Sequence, residues 1–155
     1  MKKTRYIQWI LLAEAVGGLS GFLSRKGMQV YNLSVQKPPF TPPNWLFPVV
    51  WVILYALMGI GAARVESSPQ GKLRSRSLNL YIVQLIVNFF WSLIFFNAGA
   101  YGAALLWLLI LLVLAAAMTL AFYRVDKTAG LLQIPYLLWL SFAAVLNYGV
   151  WQLNP

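Results

Sequence analysis

Five stretches of nearly continuous apolar sequence, broken by short polar connections, set the pattern of the chain. They run over residues 7–23, 45–63, 78–97, 103–123 and 131–151. As helices, each is long enough to cross roughly 30 Å of hydrocarbon. The pattern predicts an all-α membrane protein, a bundle of five transmembrane helices. A basic cap of Lys2, Lys3 and Arg5 precedes the first run, an opening shaped like a signal peptide. Four more apolar runs follow it, however, and Ala13, Gly17 and Gly21 form a small-xxx-small stripe, so a retained first helix is expected. Glu14 interrupts this run. An acid at membrane depth costs about 3 kcal/mol. It is therefore either a functional group or a structural carboxyl, neutralised or hydrogen-bonded, facing the small residues.

Arg25 and Lys26 end the first run, Gly27 offers a helix stop, and a long loop is expected over residues 25–44. Its second half is unusual. Pro38, Pro39, Pro42 and Pro43 fall within six positions, with Pro48 just beyond, among Tyr31, Phe40, Trp45, Phe47 and Trp51. Proline fixes φ, removes a donor and holds its predecessor extended, so this segment is stiff and non-helical. It reads as a lid over the end of the bundle, or as an aromatic anchor at the lipid interface.

In the third run Gln84, Asn88, Trp91, Ser92 and Phe95 share one helical face. Amides in hydrocarbon need partners, so this face is either glue between helices or the wall of a pocket. The fourth run has no charge and is expected to be the most lipid-exposed or purely structural helix. In the fifth, Pro135, Trp139, Ala143, Asn147 and Trp151 recur every fourth residue, and Pro135 must kink the helix or sit in its first turns.

Composition sharpens this picture. The 155 residues are 61 % hydrophobic and only 10 % charged, and the length suits one domain spanning residues 1–155. A soluble domain would be about a quarter charged. The net charge of +9 does not point to nucleic acid, because the basic residues cluster between apolar runs. Nine Lys and Arg lie at the N-terminus and in the second and fourth connections, against Arg25, Lys26 and Lys37 on the other side. For a bacterial inner membrane this bias predicts a cytoplasmic N-terminus, with the proline loop outside. The absence of Cys and His excludes disulfides and largely excludes the usual zinc and haem-iron ligands, although Tyr or Met ligation remains formally open. No hydrolytic triad or metal cluster argues for a conventional enzyme.

The residues also resemble a known family. Lys37-Pro38-Pro39-Phe40-Thr41-Pro42-Pro43, Val50-Trp51, Leu54-Tyr55 and Gly59 carry the first part of the likeness. Gln84, Asn88, Trp91 and Phe95-Phe96 continue it, and Pro135-Tyr136-Leu137-Leu138-Trp139 with Leu146-Asn147-Tyr148 complete it. In order and spacing these motifs are similar to those of TspO/MBR proteins, the tryptophan-rich sensory proteins related to the mitochondrial translocator protein. The resemblance implies a five-helix bundle, usually dimeric, with a ligand cavity opening near the first long loop. Family members bind porphyrins such as protoporphyrin IX and haem, some are linked to tetrapyrrole and stress regulation, and some degrade porphyrin in light.

Transferred position by position, the resemblance implies ligand contacts at Tyr31, Phe40, Trp51, Tyr55, Asn88, Trp91, Trp139, Ala143 and Asn147. Trp51 and Trp139 match the family's pocket tryptophans, and would be the electron donors if the protein is photochemically active. Ala143 matches the small residue whose size affects ligand response. The chain departs from the family in having Tyr31 and Phe40 where Trp is usual, and Trp107 where many members have an acid. It also lacks the basic residue that a sterol-recognition pattern needs after Tyr148.

A porphyrin wants aromatic faces, an apolar slot, and cations or amides at one edge. Trp51 and Trp139 offer stacking, Asn88 and Asn147 offer donors, and Lys37 with Arg25 or Lys26 offers charge for the propionates. No cofactor is required. Three classes of function follow: a porphyrin-binding sensor or transporter-like protein, a light-dependent porphyrin-degrading enzyme, or a regulatory membrane protein acting through a protein partner. The expected partners are tetrapyrroles and other apolar ligands, membrane lipid and a second copy of the chain.

Overall fold

The computed structural model describes residues 2–155, which are helical apart from turns and one extended loop. The helices are α1 (Lys2–Leu23), α2 (Arg25–Ser34), α3 (Leu46–Glu66), α4 (Lys72–Ser92), α5 (Tyr101–Val125), α6 (Lys127–Leu131) and α7 (Ile134–Leu153). A π-helical turn, Leu93–Asn97, continues α4. Five helical stretches are long and apolar enough to cross a membrane: Lys3–Leu23, Leu46–Glu66, Lys72–Asn97, Tyr101–Val125 and Lys127–Leu153. The chain is a multi-pass membrane protein with the expected all-α, TspO-like bundle.

The expected long loop over residues 25–44 is half helix. Arg25–Ser34 forms α2, and only the segment after it is extended. No proline interrupts residues 25–34, and Gly27, Met28 and Tyr31 fall on one inward face while Gln29, Val30 and Leu33 face outward. Gly27 is not a stop. A Cβ there would come within 2.5 Å of the Phe96 carbonyl, so its missing side chain lets α2 lie against the π turn. Asn97 Nδ2 donates to the Leu23 carbonyl at 2.9 Å, satisfying the end of α1 from across the bundle.

The remaining loop is pinned at both ends. Thr41 donates to the Pro38 carbonyl through its N–H (3.1 Å) and its hydroxyl (2.7 Å). Gln36 N–H donates to Asn154 Oδ1 at 3.2 Å, and Asn154 Nδ2 donates back to the Gln36 carbonyl at 2.7 Å. The proline segment is thereby tied to the C-terminal end of α7.

The fourth span is not the most exposed. Helix α5 buries Ala104, Leu108, Leu111, Ala115, Met118 and Phe122. It packs on both α4 and α7. Its small alanines let neighbours approach, and Trp107 Nε1 donates to the Val87 carbonyl at 2.7 Å, binding it to α4. The first span is the outlier, with 11 % of its apolar window buried against 33 % in the fourth. The fifth span also begins earlier than residue 131. Asp126 accepts from the Ala129 N–H at 3.1 Å to start the short α6, and Pro135 then lies in the first turn of α7, where its missing N–H is harmless. Arg64 locks this corner with a forked pair to Asp126, at 3.3 Å from Nε and 3.2 Å from Nη2. Burial pushes the Asp126 carboxyl up, but the Ala129 N–H and the Arg64 guanidinium outweigh it and hold the group below its ordinary range.

Candidate functional site

Helical spacing collects one wall of a mostly apolar cavity of about 400 Å³ from α3. Phe47, Trp51 and Tyr55 follow one another at intervals of four residues and all line it. Trp51 lies over Tyr55, with centroids 5.4 Å apart and planes 28° from parallel. Across the cavity α7 contributes Trp139, Ala143 and Asn147, again at intervals of four. The rings of Trp51 and Trp139 meet edge to face at 6.4 Å, and Phe47 meets Trp139 at 5.7 Å. Helix α4 supplies Asn88 and Trp91, and the π turn supplies Phe95 and Phe96. The extra residue of the π turn brings adjacent rings inward, with Trp91 and Phe95 stacked at 4.9 Å.

The loop end is formed by α2. Tyr31 packs its ring against Phe95 at 5.4 Å and Phe96 at 5.2 Å. Burial, reinforced by nearby Tyr101, pushes its phenol up to about 12, so it stays neutral at physiological pH. The Lys37 ammonium stands 4.9 Å over the Tyr31 ring and donates to the carbonyls of Asn32 and Val35 at 3.2 Å each.

Behind the aromatic wall runs a hydrogen-bonded chain of neutral side chains. Tyr55 OH donates to Asn88 Oδ1 at 2.5 Å, and Asn88 Nδ2 donates to Tyr136 OH at 2.8 Å. Tyr136 OH donates in turn to Gln84 Oε1 at 2.7 Å. Asn147 Oδ1 accepts from Trp91 Nε1 at 3.2 Å, while its Nδ2 donates to the Tyr101 carbonyl at 2.9 Å. The two readings of the amide face therefore merge: Asn88 and Asn147 are cavity wall and interhelical glue at once. Trp139 Nε1 differs, being a buried donor without a partner.

The cavity thus gathers Tyr31, Trp51, Tyr55, Asn88, Trp91, Trp139, Ala143 and Asn147 from α2, α3, α4 and α7. Phe40 stands apart. It is 48 % exposed on the proline loop, and its ring faces Phe142 at 6.4 Å rather than the cavity. Several wall residues escaped the sequence reading. Phe47 had a usable signal, its position four before Trp51. Met28 carries no signal in a stretch whose polar, glycine-bearing sequence reads as loop. Glu14, Gly17, Gly18 and Gly21 of α1 also line the cavity, and only their shared helical face hinted at it.

Comparison with known proteins agrees with this architecture. The chain is 39 % identical over 145 residues to protein CrtK of Rhodobacter capsulatus, covering 93 % of this chain and 89 % of that one. It is 40 % identical over 150 residues to the tryptophan-rich protein TspO of Chlorobaculum tepidum, covering 93 % and 92 %. The human translocator protein is 40 % identical over 147 residues, covering 92 % and 86 %. Residues 9–152 match the TspO/MBR family, and the chain belongs to it.

Proposed function

We propose that the protein is a porphyrin-binding membrane sensor or transporter-like protein, taking protoporphyrin IX or haem as ligand in tetrapyrrole and stress regulation. One observation carries the reading. Two indoles, Trp51 and Trp139, meet at right angles on one apolar cavity, and the buried Trp139 N–H has no partner within the protein. A flat ring with polar substituents suits both features, stacking on aromatic faces and giving the Trp139 N–H an acceptor once the indole turns toward the cavity. In this reading a bacterial inner membrane holds the N-terminus on the cytoplasmic side. The cations Arg25, Lys26 and Lys37 then stand outside, near the cavity end where propionates would emerge. A homodimer is the expected assembly.

Titrating the nanodisc-embedded protein with protoporphyrin IX in the dark tests this through tryptophan quenching, corrected for inner-filter absorption. Saturable micromolar quenching, weakened by Trp51→Phe and by Trp139→Phe, is the expected result. Linear quenching indifferent to both would mean membrane partitioning and would end the reading.

The contact between the two indoles also supports a second reading, light-dependent porphyrin degradation. An excited ring in the cavity would take an electron from an adjacent indole, leaving a reduced ring and an oxidised indole. New absorbing products that form only in light, and vanish when both tryptophans are replaced, would move the protein from binder to enzyme.

A further inference from the structure

Glu14 is the one charged side chain on the cavity wall among the described residues. The two ion pairs found there use the other acids, Glu66 with Arg5 and Asp126 with Arg64. Two of the three cations near the loop end are engaged elsewhere. Arg25 donates to the Phe22 carbonyl at 2.7 Å and lies 4.0 Å over the Phe22 ring, and Lys37 caps the end of α2. Neither lines the cavity. Of the neighbouring elements, α3 and α2 face this wall with the phenols of Tyr55 and Tyr31, while α4 and α7 bring amides, indoles and one serine. Nothing on the wall neutralises the carboxyl.

We propose that Glu14 makes this cavity a site for flat apolar ligands bearing a cationic or N–H nitrogen, its carboxyl being the contact for that nitrogen. Glu14, Gly17, Gly18 and Gly21 lie at offsets of zero, three, four and seven, so they form one stripe of α1 along the cavity. At Gly18 and Gly21 a Cβ would meet nothing within 4 Å, which leaves room for a ligand body beside the carboxyl.

The other polar wall groups at this depth are largely partnered. Tyr55 and Asn88 bond each other, Trp91 bonds Asn147, and Ser20 donates to the Phe89 carbonyl at 2.7 Å. What remains on the wall without a partner is the Glu14 carboxyl on α1, with the unpartnered Trp139 Nε1 buried behind the α7 wall. Bonds to an ionised partner are about twice as strong as neutral ones and gain further in a dry site. Glu14 therefore discriminates by nitrogen where the aromatic walls discriminate only by shape. A carboxylate-bearing ligand would be turned with its acids away from Glu14, toward the loop end. The inference rests on the cavity being a ligand site, not on the ligand being a tetrapyrrole.

Two probes of one skeleton test it: 1-pyrenemethylamine and 1-pyrenemethanol, read by energy transfer from tryptophan to pyrene. The full chain is held in phosphatidylcholine nanodiscs, with empty discs subtracted. The expected result is amine binding about tenfold tighter than alcohol. Glu14→Gln should abolish the preference while leaving alcohol affinity in place, and Glu14→Asp should retain part of it. Equal affinities in the wild type, an unchanged ratio in Glu14→Gln, or no saturable binding of either probe would each overturn the proposal. Saturable quenching by protoporphyrin IX in the same preparation would show that the tetrapyrrole reading survives such a failure.

Discussion

The indole of Trp51 stands edge-on to that of Trp139, with centroids 6.4 Å apart and planes at 88°. The two are not equivalent. Trp51 is backed by the stacked Tyr55 ring, while Trp139 holds a buried N–H without a partner. Trp139→Phe keeps an aromatic face but removes the donor together with part of the indole's stacking area, so its effect sets an upper bound on one hydrogen bond. Porphyrin affinity should fall about fivefold, the worth of roughly 1 kcal/mol. Quenching titrations that show no change would mean the N–H does not meet the ligand.

Gly17 gives a second test, of the wall behind the indoles. A Cβ there would run into the Tyr55 ring. Gly17→Ala must therefore displace that ring or push α1 from α3, at a cost of about 1–3 kcal/mol. If the ring moves, the Tyr55–Asn88 hydrogen bond goes with it. The penalty of Gly17→Ala should then shrink in a Tyr55→Phe background, because that bond is already lost. Thermal unfolding of the four proteins in one detergent measures the coupling. Strict additivity would mean that α1 shifts and the ring stays.

Much of this was legible in the sequence because lipid imposes strict rules. An apolar run must be helical, so the five spans could be read from length alone, and the four-residue spacing of Trp139, Ala143 and Asn147 put them on one helical face that the family resemblance, not the spacing, pointed at a cavity. Errors arose where that rule does not apply. Arg25–Ser34 is polar enough to look like loop, and its helix is visible only once Tyr31 has a buried partner surface in the π turn. The π turn has no local signal at all. Helix α5 stays open in the sequence between lipid-exposed and structural, because a span with few polar atoms looks the same whether it faces lipid or other helices. Neighbours, not composition, decide between those. Glu14 was conspicuous as an acid, but its position on the cavity wall depends on how α1 is rotated against α3.

Asp126 makes stability depend on pH at the corner between α5 and α6. Its carboxyl is held below the ordinary range, so its contribution is fully present above the unfolded value of about 3.9 and is lost as pH falls through the lower folded value. Asparagine caps a helix about as well as aspartate, so Asp126→Asn removes the charge while sparing the cap. The variant should unfold at a lower temperature than wild type at pH 7. The gap should close as pH falls below about 3.9 and through the lower folded value. A gap independent of pH would assign the effect to packing at α6 instead of the Arg64 pair.

Two fully buried tyrosines separate a satisfied hydroxyl from an orphaned one. Tyr136 OH accepts from Asn88 at 2.8 Å and donates to Gln84 at 2.7 Å. Tyr81 OH is equally buried and has no partner. Removing the first leaves an amide donor and an amide acceptor stranded away from water, each costing about 1–3 kcal/mol. Removing the second relieves a desolvation penalty already incurred and leaves the ring in contact with Trp9 and Phe122. Tyr136→Phe should therefore lower the unfolding temperature sharply, and Tyr81→Phe should leave it unchanged or raise it. The first should also weaken ligand binding, since Asn88 and Tyr55 on the cavity wall lose the group that fixes them. If both substitutions destabilise equally, the Tyr81 hydroxyl must be bonded through a buried water, and the chain of polar groups behind the cavity is longer than the direct contacts reveal.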